Sequence, residues 1–67
     1  MIALTINGEP AELPPATTVA ALLEARSLAG MRVAVERNGE IVPKSQHAST
    51  AVQAGDCIEI VVAVGGG

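Results

Sequence analysis

The sequence contains no phenylalanine, tyrosine or tryptophan, and its 67 residues include one cysteine and one histidine. Without aromatic rings, the chain has no surface on which nucleic-acid bases could stack. A single cysteine, Cys57, excludes an intramolecular disulfide framework and fits a reducing compartment. The single histidine, His47, has no partner at ligand spacing. We therefore expect a protein that binds no metal and no cofactor of its own.

Basic side chains are also few, with four Lys and Arg residues against seven Asp and Glu residues and a net charge of −3. They are spread singly along the chain, so there is no basic patch to neutralise phosphates, and nucleic-acid binding is not expected. An acidic chain fits a basic surface on a partner protein better.

Long apolar runs are absent too, and the longest one is far shorter than a membrane span. Met1 is followed by a short alternating segment instead of a charged leader, so we expect no signal peptide and no membrane association. Together with the single cysteine, this predicts a cytoplasmic protein. A chain of this size forms one small domain with no room for a deep active site, which argues against an enzyme.

The first segment of the chain predicts a β-hairpin. Ile2, Leu4 and Ile6 alternate with smaller residues, which is the period of a half-buried strand. Asn7-Gly8 favours a two-residue turn, so residues 9–13 should return as an antiparallel partner. Pro10 cannot donate to a ladder, which predicts that this second strand lies at a sheet edge.

The next segment predicts a helix. Thr17 or Thr18 can cap its amino end, and Gly30 is the expected stop after roughly three turns. The apolar positions follow the i, i+3, i+4 rule and are Val19, Leu22 and Leu23.

The second half of the chain predicts three more strands. Residues 32–37 alternate, Asn38-Gly39 makes a second turn, and residues 40–42 form a short strand. Residues 44–50 are polar and are expected to be irregular. The stretch 58–64, which is apolar except for Glu59, predicts a long, buried final strand.

This order of elements predicts an α+β roll, a mixed sheet with one helix packed on one face. The first and last strands are the richest in branched apolar residues, so we expect them to be central and parallel to each other. The opposite face of the sheet should stay open. We expect a docking surface there, made of Ala3, Thr5, Val61 and Ala63.

Three glycines end the sequence and divide it into a folded domain, residues 1–64, and a flexible tail, residues 65–67. Glycine has no Cβ, so such a tail can enter a channel too narrow for side chains. Extended, it would reach roughly 10 Å beyond the strand. This placement predicts that the terminal carboxylate of Gly67 is the working group.

A family resemblance supports this interpretation. Residues 33–43, Val-Ala-Val-Glu-Arg-Asn-Gly-Glu-Ile-Val-Pro, and residues 55–61, Gly-Asp-Cys-Ile-Glu-Ile-Val, precede the terminal Gly-Gly-Gly. Together they resemble the ThiS family, the sulfur-carrier proteins of thiamine biosynthesis, which have the ubiquitin-like β-grasp fold. The resemblance covers the whole chain.

The resemblance implies a carrier that is modified by other proteins and supplies no catalytic group or metal. An activating enzyme, related to the ubiquitin-activating enzymes, would use ATP and Mg²⁺ to adenylate the Gly67 carboxylate. Sulfur derived from cysteine would then replace AMP to give a thiocarboxylate. That group would donate its sulfur to thiazole synthase, while Gly65 and Gly66 bind in the partner's channel.

Other functions share some of these features. The small subunit of molybdopterin synthase and the carriers of transfer-RNA thiolation have the same fold and tail, although the molybdopterin subunit is usually longer. A non-covalent β-grasp interaction module with an incidental tail, or a ubiquitin-like protein modifier, are alternatives of other classes. Lys44 is the single lysine, which makes ubiquitin-like chain formation a poor fit.

Overall fold

One five-stranded sheet and one α-helix make up the described part of the computed structural model, which covers residues 1–63. Val64 and the predicted tail, residues 65–67, lie outside the described residues. In chain order the elements are β1 (Ile2–Ile6), β2 (Glu9–Leu13), α1 (Val19–Ala25), β3 (Val33–Arg37), β4 (Glu40–Val42), a 3-10 helix (Lys44–Gln46) and β5 (Cys57–Val62).

The strand order in the sheet is β2-β1-β5-β3-β4. β1 and β5 are neighbours and run parallel, while the other neighbouring pairs are antiparallel. This confirms the predicted mixed sheet with the first and last strands at its centre. β2 is an edge strand with Pro10 opposite Thr5, as the missing N–H of proline requires.

Both Asn-Gly turns form hydrogen bonds with the backbone of the central strand β5. Their residues have positive φ, 53° and 80° at Asn7-Gly8 and 54° and 85° at Asn38-Gly39, which is the two-residue turn that suits a right-twisted hairpin. The N–H of Ile60 donates to Asn7 Oδ1 at 2.7 Å, and the N–H of Cys57 donates to Asn38 Oδ1 at 2.9 Å. The asparagine side chains therefore replace carbonyl acceptors where the neighbouring strands have ended.

Helix α1 begins with a side-chain cap. Thr18 has an extended backbone, and its Oγ1 accepts the N–H of Ala21 at 3.1 Å. Thr17, the other predicted cap, instead donates its hydroxyl to the carbonyl of Pro14 at 2.7 Å. The predicted apolar face is confirmed, since Val19, Leu22 and Leu23 are all buried.

The helix ends earlier than the sequence predicts, at Ala25 instead of near Gly30. Ser27 takes the left-handed conformation, with φ 60°, and the N–H of Leu28 donates back to the carbonyl of Leu23 at 2.8 Å. This is a Schellman ending in which a serine holds the position that usually favours glycine. The prediction was wrong because it relied on the glycine.

The segment after β4 is more ordered than its polar composition suggests. It begins with the 3-10 helix and then runs past the start of α1. The carbonyl of His47 accepts the N–H of Ala20, and the carbonyl of Thr50 accepts the N–H of Val19, both at 2.9 Å. The segment thus satisfies N–H groups of the first helical turn, which have no acceptor within the helix.

The core between α1 and the sheet is entirely aliphatic. One member, Val52, is 2% exposed but lies outside every helix and strand, so periodicity could not identify it. The buried apolar residues are Leu4, Ile6, Val19, Leu22, Leu23, Val35, Val42, Val52, Ile58 and Ile60.

The Asn7 contact predicts that Asn7→Gly lowers the free energy of unfolding. The change should cost about 1 kcal/mol for the lost acceptor and about 0.5 kcal/mol for the greater freedom of the unfolded chain. Asn7→Asp keeps an acceptor oxygen and tolerates positive φ, so it should stay close to the parent. Urea unfolding measures both variants, and an equal loss in the two would contradict a role for the side-chain oxygen.

Candidate functional site

The sheet face opposite α1 is accessible, and all four predicted docking residues lie on it or at its end. Ala3 and Ala63 are exposed, Thr5 is half-buried, and the side chain of Val61 is 63% exposed. Along β5, buried and exposed residues alternate, with Ile58 and Ile60 turned toward the core. The open face that the sequence predicted is therefore present.

The four residues do not form one cluster, however. Thr5 is the register partner of Cys57 in β5, and Val61 lies four positions further along that strand, about 13 Å away. Val61 is instead opposite Ala34 of β3, and the N–H of Ala63 donates to the carbonyl of Arg32 at 2.9 Å. The predicted surface therefore divides into a part on β1 and a part where β5 meets β3.

Acidic and apolar side chains also lie on strands β5, β3 and β4 of the open face. Glu36 of β3 is directly opposite Glu59 of β5, and Ile41 of β4 is opposite Glu36. Like charges in opposite positions repel, and a basic partner would relieve that repulsion. Ile41 is 63% exposed, and the sequence did not indicate it as a docking residue because its neighbours depend on the strand register.

Asp56 belongs to the interior and anchors the start of β5. It is 6% exposed and accepts hydrogen bonds from Arg37 Nε at 2.7 Å, from the N–H of Gln53 at 2.8 Å and from Asn38 Nδ2 at 3.0 Å. Burial alone would raise the pKa of Asp56, but these bonds and the charge of Arg37 outweigh it and hold the pKa below its usual value.

The single histidine and the single cysteine take up separate positions. His47 is 8% exposed, and its Nε2 lies 3.0 Å from the carbonyl of Val42, which can only accept, so Nε2 donates. Cys57 is exposed at the start of β5. Residues 1–63 contain no group of three or more His, Cys, Asp or Glu side chains that could hold a metal ion.

The end of β5 determines where the chain leaves the sheet. Val62, its last residue, is opposite Val33, the first residue of β3. The predicted working group at Gly67 and the predicted channel-binding residues Gly65 and Gly66 lie outside the described residues, so their roles stay predictions. Val61 and Ala63 are the predicted docking residues nearest to that end of the chain.

Solved structures show the class of protein that this fold defines. The crystal structure of the thiamine biosynthesis protein ThiS from Geobacter metallireducens has a TM-score of 0.80 and 36% identity, covering 98% of this chain and all of that one. An NMR structure of a thiamine biosynthesis protein from the same organism has a TM-score of 0.78 and covers 98% of this chain and 88% of that one. The fold is the ubiquitin-like β-grasp.

The family follows from the sequence match. A family model described as the ThiS family matches residues 4–67, nearly the whole chain. The chain belongs to the ThiS family, the small sulfur carriers of thiamine biosynthesis. The resemblance expected from the hairpin and the terminal glycines is thereby confirmed.

Curated relatives include longer proteins. A thiazole synthase of Paramagnetospirillum magneticum is 52% identical over 64 residues, and one of Magnetococcus marinus is 39% identical over 62 residues. The chain spans about a fifth of each, 20% and 19% of their lengths, and 96% and 92% of itself. An uncharacterised protein of Porphyra purpurea is 33% identical over 98% of this chain and 93% of its own length.

No helix within residues 1–63 is long and apolar enough to cross a membrane.

The contacts of Asp56 predict how acid affects stability. Because its folded pKa is depressed below the usual 3.8, its contribution is present above that value and is lost as the pH falls through the folded pKa. Asp56→Asn should cost about 1–3 kcal/mol at pH 7 and make the decline below pH 4 shallower. Unfolding curves across pH measure this, with Glu12→Gln as the exposed control that keeps the parent slope. If the stability of Asp56→Asn fell with pH as steeply as that of the parent, Asp56 would not be the source of the acid dependence.

Proposed function

We propose that this chain carries sulfur as a thiocarboxylate at Gly67 and delivers it to a thiazole synthase. The observation that carries the proposal is that the ThiS family match extends through residue 67 and so includes the three terminal glycines. The chain is the substrate of its partners in this scheme, and the catalytic groups belong to those partners.

The chemistry explains why partners are needed. A carboxylate is ionised at neutral pH and is a poor acyl electrophile. An activating enzyme with ATP and Mg²⁺ would join the Gly67 carboxylate to AMP and release pyrophosphate. A sulfide equivalent derived from cysteine would then attack the acyl carbon, and the bond to AMP would break. A closed channel around the tail would keep water from the mixed anhydride.

The glycines suit this route because they present no side chain to the channel. Gly66 and Gly67 would allow the activating site to approach the backbone closely, and Gly65 would add freedom to move between partners. The described part of the chain fits this route, since β5, the strand before the tail in sequence, is hydrogen-bonded to Asn7 on one side and to Asn38 on the other.

Thiazole synthase is the proposed acceptor because two relatives carry that name. In both, the segment similar to this chain makes up about a fifth of a longer polypeptide, 20% and 19% of its length. Joining two modules raises the effective concentration of one near the other, which favours a transfer between them. We propose that this chain makes the corresponding contact with a thiazole synthase.

Docking would use the open sheet face. We propose that Ala3, Thr5, Val61 and Ala63 contact the activating enzyme or the synthase, with Val61 and Ala63 nearest to the site of chemistry. Residues 64–67 span at most about 14 Å when extended. A partner that holds Gly67 must therefore approach the end of β5 closely.

Mass spectrometry tests the chemistry. Incubation with a cognate activating enzyme, ATP and a sulfur donor should raise the intact mass by the difference between one sulfur and one oxygen atom, located at the C-terminus. The control carries one alanine appended after Gly67 and should fold equally well but gain no sulfur. Attachment to lysines of other proteins would favour a modifier, and an unchanged parent mass would favour an interaction module.

A charge on the open face tests the docking surface. Val61→Arg should weaken binding to the activating enzyme by about tenfold or more, because a desolvated contact would contain an unpaired charge. Ala21→Arg places the same charge on the exposed side of α1 and should leave the affinity unchanged. Calorimetry measures both, and equal affinities in two folded variants would show that docking occurs elsewhere.

A further inference from the structure

A groove of about 730 Å³ lies at the end of the sheet, beside the carboxyl end of α1. The segment 28–32, the start of β3, and Val61 and Ala63 are part of its lining. Leu23, Leu28, Met31 and Val33 contribute apolar side chains to the lining. Met31 is 47% exposed, so the described residues leave part of this apolar surface uncovered. Uncovered apolar surface in a concave site is typical of binding sites.

The charge at this groove is opposite to that of the chain. The net charge is −3 and the sequence has four basic residues, yet two of the four, Arg32 and Lys44, line the groove. Both are exposed, and neither makes an ion pair within residues 1–63, where Arg37 is bound to Asp56. Glu24 is the one acidic side chain in the described lining. The groove therefore combines an apolar floor with two cations that have no ionic partner in the described structure.

We propose that this groove binds a short apolar peptide segment flanked by acidic residues, supplied by a partner protein. Apolar side chains of the segment would cover Leu28, Met31 and Val33, and its carboxylates would lie beside Arg32 and Lys44. The charge complementarity favours an acidic partner, and the exposure of Met31 shows that the groove is open to solvent, as a bound peptide requires. A segment bound here would lie next to the point where the chain leaves β5.

This proposal does not depend on sulfur transfer. The open sheet face presents Glu36 and Glu59 and suits basic groups, whereas the groove presents cations and suits acidic ones. The two surfaces can therefore meet partner segments of opposite charge. Peptide binding is measured without ATP, sulfur donor or enzyme, so its failure is distinct from failure of the thiocarboxylate chemistry.

NMR titration of the full chain tests the proposal. The probe is a capped peptide with Leu-Val-Leu between two pairs of aspartates, and the matched peptide has lysines in place of the aspartates. The aspartate peptide should bind saturably and shift the amide signals of Leu28, Met31 and Val33. Its affinity should exceed that of the lysine peptide by about tenfold and fall as salt is added.

Two pairs of variants locate the contacts. Lys44→Glu should lower the affinity for the aspartate peptide by about threefold to tenfold. Arg26→Glu changes an exposed residue outside the described lining and should leave that affinity unchanged. Met31→Ser should lower the affinity for the aspartate peptide to a similar degree. Ile41→Ser removes an exposed apolar side chain elsewhere and should leave the affinity unchanged. Thermal unfolding of each variant confirms that it is folded.

Several results would overturn the proposal. Equal affinity for the two peptides, or no saturable shift at millimolar peptide, would show that the groove does not select acidic segments. Signals that change with protein concentration alone would assign the groove to a second copy of this chain. Binding that tightens about tenfold when residues 64–67 are removed would assign it to the chain's own end.

Discussion

The hydrogen bonding of β5 at the centre of the sheet is the constraint on which the rest of this structure depends. β1 pairs with it on one side and β3 on the other, and both Asn-Gly turns donate and accept at its backbone. Asp56 fixes the turn that precedes β5 through three hydrogen bonds. In a chain this small the aliphatic core is limited, so side-chain hydrogen bonds of this kind matter more for the stability of the fold.

Under the proposed function, holding β5 in place would matter because the strand precedes, in sequence, the residues on which partners would act. Asp56, although acidic, is buried and structural, whereas Glu36 and Glu59 remain at the open face. Within residues 1–63, the ion pair of Asp56 with Arg37 is thus partly buried, while the facing carboxylates of Glu36 and Glu59 lie where a partner could reach them. This division fits the proposal that a partner protein binds this ThiS family member at its open face.

The open face and the groove meet where β5 ends beside the start of β3. Val61 and Ala63 contribute to both, so a partner at either surface lies close to the end of the described chain. If both proposed surfaces bind partners, their opposite charges would select different segments, because a segment attracted to one surface is repelled by the other.

The sequence by itself determined the strands, both hairpin turns, the edge position of Pro10 and the apolar face of α1, because periodicity and turn chemistry are local. Only the tertiary structure decided the helix end at Ala25, with Ser27 in the left-handed conformation, and the burial of Val52, since neither follows from neighbouring residues. It also separated Thr5 from Val61 and placed Arg32 and Lys44 in the lining of the same groove. Strand register and long-range packing set these distances, and they depend on residues far apart in the chain.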